Sequence, residues 1–213
     1  IGFATKGQFR SCGLDYAVLH RSDQHEVENF LDLGRVLYPD LTGSPCLAEL
    51  KPFTAKSEAQ AQALCSTKAI YAHMWPSGIY AERKAWTEAY WAKLLHRLQD
   101  LSFALFLTGS AHDKAANARF LAKHPGLNAV SLAGETSLAE LAWLLSKASA
   151  VVSVNTGTMH LAALCGAVTV GLHGPTNPLR WGPRGKCVCA LLPRQGKYAY
   201  LDLGFEYPKK YQP

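Results

Sequence analysis

The chain has 213 residues, 48% of them hydrophobic and 18% charged, with a formal net charge of +6. That is enough chain to bury its own core without disulfide or metal staples. No apolar run approaches the ~20 residues of a membrane span, and the basic residues are scattered, without the aromatic-interleaved stripe of a nucleic-acid binder.

The opening Ile1-Gly2-Phe3-Ala4-Thr5 lacks both an initiator Met and the basic, apolar and small-residue regions of a signal peptide, so the chain is expected to be a piece of a longer protein. Tyr16 to Leu19 predicts a strand and Glu26 to Leu37 a helix, with Pro39, Pro45 and Pro52 marking a linker. Residues 1–53 therefore read as the end of a preceding domain plus linker, and 54–213 as a second domain. From about Ala55 onward, apolar runs alternate with helical patterns, the signature of a parallel sheet covered by helices. Lys68 to Met74 predicts a buried strand, then a Pro/Gly loop, then a helix from Thr87 to Leu98 with Trp91, Leu94, Leu95 and Leu98 on one face. Phe103 to Leu107 predicts the next strand, ending at Thr108-Gly109-Ser110, followed by a helix through Phe120-Leu121 and a short strand at Leu127 to Ser131.

Ser137-Leu138-Ala139-Glu140 matches a capping box, in which the serine hydroxyl and the glutamate carboxylate satisfy backbone donors at a helix start. Leu138, Leu141, Leu145 and Ala148 are expected to form the buried stripe of that helix. Ala150 to Val154 predicts another strand, which turns at Asn155-Thr156-Gly157 into a small-residue helix through Ala162-Ala163-Leu164, and Val168 to Leu172 returns to the sheet. The six cysteines, at positions 12, 46, 65, 165, 187 and 189, form no CxxC pair and have no zinc-type histidine spacing, which favours a reduced, cytosolic protein without a metal site. Cys187-Val188-Cys189 alternates like a strand, so both thiols should face one side. Lys209-Lys210 beside Tyr207 and Tyr211 reads as a solvated tail, with contact at a membrane surface as the alternative.

The most informative stretch is Val154-Asn155-Thr156-Gly157-Thr158-Met159-His160, where a buried strand runs directly into a helix start. Ligands of open parallel sheets bind beyond the carboxyl ends of the strands, and the first amides of a helix are unpaired donors with partial positive charge. A diphosphate suits that place. Gly157 admits close backbone approach, and the Thr156 and Thr158 hydroxyls add donors; the plainer reading is an N-cap at Asn155 or Thr156 with His160 packed beneath it. Two further loops leave the same sheet edge. One is His173-Gly174-Pro175-Thr176-Asn177-Pro178, running on to Arg180-Trp181-Gly182-Pro183; the other runs from Trp75-Pro76-Ser77-Gly78 to Lys84-Ala85-Trp86 and offers a lysine.

Together these residues resemble glycosyltransferase family nine, the bacterial lipopolysaccharide heptosyltransferases and their relatives, over roughly residues 20–185. The family pattern of a strand, Asp-Ser/Thr-Gly-x-x-His at a helix start, an Ala-rich helix, a strand and Gly-Pro-Thr with a further Pro reads here as Asn155-Thr156-Gly157-Thr158-Met159-His160, Leu161-Ala162-Ala163 and Gly174-Pro175-Thr176-Asn177-Pro178. Pro76-Ser77-Gly78, Lys84-Ala85-Trp86, Thr108-Gly109-Ser110 and Thr136-Ser137-Leu138 match earlier family elements.

The resemblance implies the Rossmann-like, nucleotide-sugar-binding C-terminal half of a GT-B type transferase, with residues 1–53 ending the acceptor-side domain. It implies that Thr156 and Gly157 cradle a diphosphate, Lys84 neutralises it, and Ser77, Thr108 and Gly109 line the cleft. Thr136 would lie against the nucleobase, Asn155 beside the donor sugar, and His160 would support the loop. The implied reaction is inverting transfer of a sugar, in the family ADP-heptose, to a lipopolysaccharide core acceptor. The chain would work in the cytoplasm or at the inner-membrane surface, its partners being the nucleotide-diphosphate sugar and the glycan acceptor, with no nucleic acid and no cofactor.

There is no Asp-x-Asp, so no divalent metal is expected. The general base is expected in an upstream domain, which would leave these residues able to bind nucleotide but inactive alone. Two positions depart from the family. Asn155 stands where the family has Asp, and Ala111 where an ADP-heptose enzyme often has a Glu that reaches the ribose or base. Those departures also fit a catalytically inactive binding or regulatory module; a sugar-phosphate epimerase would need more carboxylates at the cleft.

Overall fold

Val-, Ala- and Leu-rich runs too short for helices suit strands buried on both faces, as in a parallel sheet covered by helices, and here they form one. The computed structural model describes residues 1–5, 9–42, 68–78, 81–194 and 198–199. Pro45, Pro52, Cys46, Cys65, the boundary expected after residue 53 and the Lys209-Lys210 tail with Tyr207 and Tyr211 lie outside the described residues.

The first described part holds β1 (Gly2–Ala4), β2 (Ala17–Leu19) and α1 (Glu26–Leu37). The two strands pair in parallel as a two-stranded sheet. The second part runs β3 (Ala69–His73), α2 (Ala81–Lys84), α3 (Glu88–Asp100), β4 (Ala104–Leu107), α4 (Lys114–Lys123), β5 (Ala129–Ser131), α5 (Leu138–Lys147), β6 (Ala150–Val154), α6 (Gly157–Leu164), β7 (Thr169–Leu172), α7 (Pro178–Trp181) and β8 (Val188–Leu191). Its strands lie in the order β5-β4-β3-β6-β7-β8 and every pairing is parallel. All of the carboxyl ends therefore share one edge.

Helices cover both faces, as expected. Ile70, Ala72, Leu105, Leu107, Val152 and Val154 pack with Trp91 and Leu95 of α3 and Phe120 of α4. The alternate residues, among them Tyr71, Phe106 and Val151, pack with Leu144 and Leu145 of α5 and Ala162 of α6. This period of two, with both phases apolar, is what a doubly covered strand requires.

The capping box forms as read: Ser137 Oγ accepts from the Glu140 amide at 3.3 Å and Glu140 Oε2 accepts from the Ser137 amide at 2.7 Å. Ser137→Ala is expected to cost about 1 kcal/mol in urea melts; an unchanged midpoint would show the cap to be idle. The stripe of α5 needs one correction. Leu145 is fully buried, but Leu138 is 73% exposed. As the first residue of α5 it overhangs the carboxyl edge, where the strands beneath have already ended. Cys189 on β8 and Cys187 just before that strand are both exposed.

The two parts touch through the first turn of α1. His25 caps that helix by accepting from the Val27 amide on Nδ1, at 3.2 Å. Its proton then sits on Nε2, which donates to the Gly182 carbonyl at 2.9 Å. Arg180 pairs with Glu26 and Arg184 with Glu28.

Candidate functional site

In a sheet that grows first one way and then the other, a crevice opens where the chain reverses direction. Here the chain adds β4 and β5 on one side of β3, then returns to place β6 on the other side. The reversal lies between β3 and β6. The loop after β3 leads through Ser77 and Gly78 to Lys84 at the end of α2, and the turn after β6 leads through Asn155 and Thr156 to α6. Two segments singled out in the sequence therefore leave adjacent, hydrogen-bonded strands at the switch point.

The start of α6 is open. Thr156 occupies the N-cap position with extended backbone, but its hydroxyl makes no capping bond; it sits 3.4 Å from Ser153 Oγ instead. Gly157 is exposed, and a Cβ added there would meet nothing within 4 Å. Among the described residues no neighbour requires the glycine, which adds no side chain over the first turn of the helix. No acidic residue lies in the first turn. The partial positive charge of the helix start is thus unopposed locally.

Asn155 is held sideways: its side-chain amide donates to Thr176 Oγ1 at 2.6 Å. Thr176, buried in the loop after β7, is a residue of the site whose role the sequence did not disclose. His173 Nδ1 lies 3.3 Å from the same hydroxyl. That loop also meets α2, since a Cβ on Gly174 would come within 3.3 Å of the Arg83 carbonyl. Lys84, the next residue, is half-buried and pairs with no described residue, and burial lowers its pKa. The loops after β3, β6 and β7 thus converge, carrying a lysine without a described partner and a helix start without a side-chain cap.

Beneath this opening runs a polar row. Thr108 is 2% exposed, and its hydroxyl donates to the Ala72 carbonyl at 3.4 Å while lying 2.9 Å from His73 Nδ1. Expected as a cleft-lining hydroxyl, Thr108 is committed inward and supports the cleft from below. His73 stands opposite Ser153 in the strand register, so Thr108, His73, Ser153 and Thr156 connect the ends of β4, β3 and β6. His73 was invisible as a site residue, because a histidine inside an apolar run reads as core.

Further out, the loops after β4 and β5 brace each other. Gly134 has φ +72°, its amide donates to the Gly109 carbonyl at 3.0 Å, and a Cβ on it would meet Ala111 Cα at 2.8 Å. A Cβ on Gly109 would lie 2.8 Å from Asp113 Cβ, so this position is tight as well, although its backbone is unstrained. Ala111, where the family often has Glu, is therefore packed against a backbone turn. Thr136 is half-buried just beyond that turn, and Ser77 is exposed. His160 is half-buried one turn into α6, its pKa lowered by burial and then by His25 nearby, as suits a supporting residue. Among the described residues no group of three or more His, Cys, Asp or Glu could hold a metal.

The model of glycosyltransferase family 9 (heptosyltransferase) matches residues 1–202. Lipopolysaccharide heptosyltransferase 1 of Pseudomonas aeruginosa is 38% identical over 104 residues, which are 48% of this chain and 28% of that protein. The structure of E. coli ADP-heptose lps heptosyltransferase II superposes with a TM-score of 0.68 at 25% identity, covering 89% of this chain and 60% of the other. E. coli heptosyltransferase WaaC with ADP gives 0.59 at 26% identity, covering 85% and 54%. The chain spans less than a third of that first relative and little more than half of the two solved structures.

Proposed function

We propose, from the fact that this chain belongs to glycosyltransferase family 9, the heptosyltransferases, that it supplies the nucleotide-sugar site of an inverting transferase acting on a lipopolysaccharide core. What supports this reading is that the loop ending in the half-buried Lys84 and the turn into the uncapped α6 leave adjacent strands at the switch point and both meet the loop after β7. ADP is the nucleotide to expect, because a structural relative is described with ADP and another as an ADP-heptose enzyme. Residues 1–53 then belong to the acceptor side and 54–213 to the donor side.

In the reaction, an acceptor hydroxyl displaces the nucleoside diphosphate from the anomeric carbon, and negative charge grows on the leaving group. Amides of Gly157 and Thr158, oriented before the reaction begins, stabilise that charge without reorganisation, and Lys84 adds a full positive charge. Asn155, Ser77, Gly109 and Thr136 complete the cleft, Thr108 and His160 support it, and the leaving group needs no metal. No described helix is long and apolar enough to cross a membrane; an acceptor carried on the membrane is met at its surface.

Calorimetric titration of the chain is expected to show ADP binding in the millimolar range or tighter, stronger than UDP or GDP and unchanged by chelator. A flat trace with all three nucleotides would remove the donor-site reading, and loss of binding in chelator would remove the metal-free one.

A further inference from the structure

We infer that the buried Glu26–Arg180 ion pair is a positioning latch for the nucleotide-sugar site, tying the loop that holds Asn155 to the first turn of α1. The inference rests on the donor-site reading above. Arg180, on α7, is 1% exposed, and its Nη2 donates to Glu26 Oε2 at 2.9 Å. The other Glu26 oxygen lies 2.8 Å from His20 Nε2, and the Asn29 side-chain amide donates to Oε2 at 3.2 Å. Burial works to raise the Glu26 pKa, yet the hydrogen bonds and charges of His20 and Arg180 outweigh it and hold the carboxyl below its ordinary value. The carboxylate also sits at the positive end of α1.

As a source of stability the pair is an inefficient choice. Arg180 Nε and Nη1 are buried with no hydrogen-bond partner among the described residues, and an apolar pair of like volume would commonly hold the fold as well or better. What the ion pair adds is direction. Two residues beyond Arg180, the Gly182 carbonyl accepts from His25 Nε2 at 2.9 Å, a second tether to the same helix turn. Four residues before Arg180, Thr176 accepts from Asn155. The stretch between is stiff, with Asn177 Oδ1 capping the Leu179 amide at 3.0 Å and Pro178 opening α7.

The loop is thus fastened at one end to α1 and at the other to the residue immediately before Thr156 and Gly157. Releasing Arg180 lets the turn swing, and Thr176 carries Asn155 with it. Arg180 and Glu26 touch no reacting atom in this scheme; they act through Thr176 and Asn155.

The test is ADP affinity by calorimetry on the whole chain, alongside thermal unfolding, for Arg180→Met, Arg180→Lys and the double variant Glu26→Leu with Arg180→Met. Loss of the latch is expected to weaken ADP binding about three- to tenfold in Arg180→Met. Only one guanidinium nitrogen is used, so a lysine can supply that contact, and Arg180→Lys should keep affinity within about twofold of the parent.

The double variant leaves no buried charge behind. It is expected to unfold near the parent temperature and still bind ADP as weakly as Arg180→Met, which keeps the test open if that single variant does not fold. A double variant that is folded and binds ADP like the parent overturns the latch, as does an equal loss in Arg180→Lys and Arg180→Met. Absence of ADP binding by the parent chain overturns the donor-site reading itself, and the latch with it.

Discussion

Acidification from neutral pH to about pH 4 is expected to remove several kcal/mol of stability, most of it through two histidines at the carboxyl edge of the sheet. His73 and His173 are 9% and 3% exposed. Burial lowers each pKa from 6.5 to about 4, with Asp113 partly opposing the shift at His73 and His160 reinforcing it at His173. In the unfolded chain both titrate near 6.5. Below that value the unfolded state binds the extra protons first, so stability falls as the pH drops through the window and the loss is complete near the folded pKa. Above it neither histidine contributes a slope.

A depression of this size corresponds to about 3 kcal/mol per group, against a total of roughly 5–15 kcal/mol for a typical domain. His25 and His160, also lowered chiefly by burial, act in the same direction. Urea melts on either side of pH 6.5 measure the effect directly. His73→Gln, which keeps a polar group beside Thr108, is expected to reduce the slope by about one proton. Stability that stays level between neutral pH and about pH 5 would mean that these rings are hydrated and that the row beneath the cleft is not closed.

Lys84→Ala is expected to weaken ADP binding by about 1–3 kcal/mol, the usual value of a charge-assisted contact to phosphate. Lys84 is half-buried, has no described partner, and burial disfavours its charged form. Removing a desolvated, unpaired charge should leave stability unchanged or slightly higher, so affinity and stability are expected to part company in this variant. That separation distinguishes a ligand-binding lysine from a structural one. If affinity is unaltered, Lys84 makes no contact with the diphosphate, and the amides of α6 act alone.

Much of this could be read along the chain. The α1 helix runs over the residues the pattern indicated, the capping box at Ser137 forms, and the strand and turn from Ala150 through Gly157 end in an open helix start. These features are local: helical or strand periodicity, a capping side chain and a glycine depend on neighbours a few residues away. The family pattern was equally legible, because its residues lie in short contiguous stretches.

What escaped was decided by overhang and by distance. Leu138 has the right phase for burial but lies beyond the end of the sheet, and Thr108 has the chemistry of a ligand but turns inward to His73. Asn155 and Thr176 are brought together only because β6 and β7 are neighbours, and Glu26 meets Arg180 across 154 positions of sequence. The sequence alone determined the longer strands and helices, since periodicity and capping are short-range; β1, α2 and α7, each of three or four residues, are too short to show a period and were not read from it. The strand order decided which loops meet and which side chains are consumed by one another, because periodicity shows that a strand is buried but not which strand lies beside it.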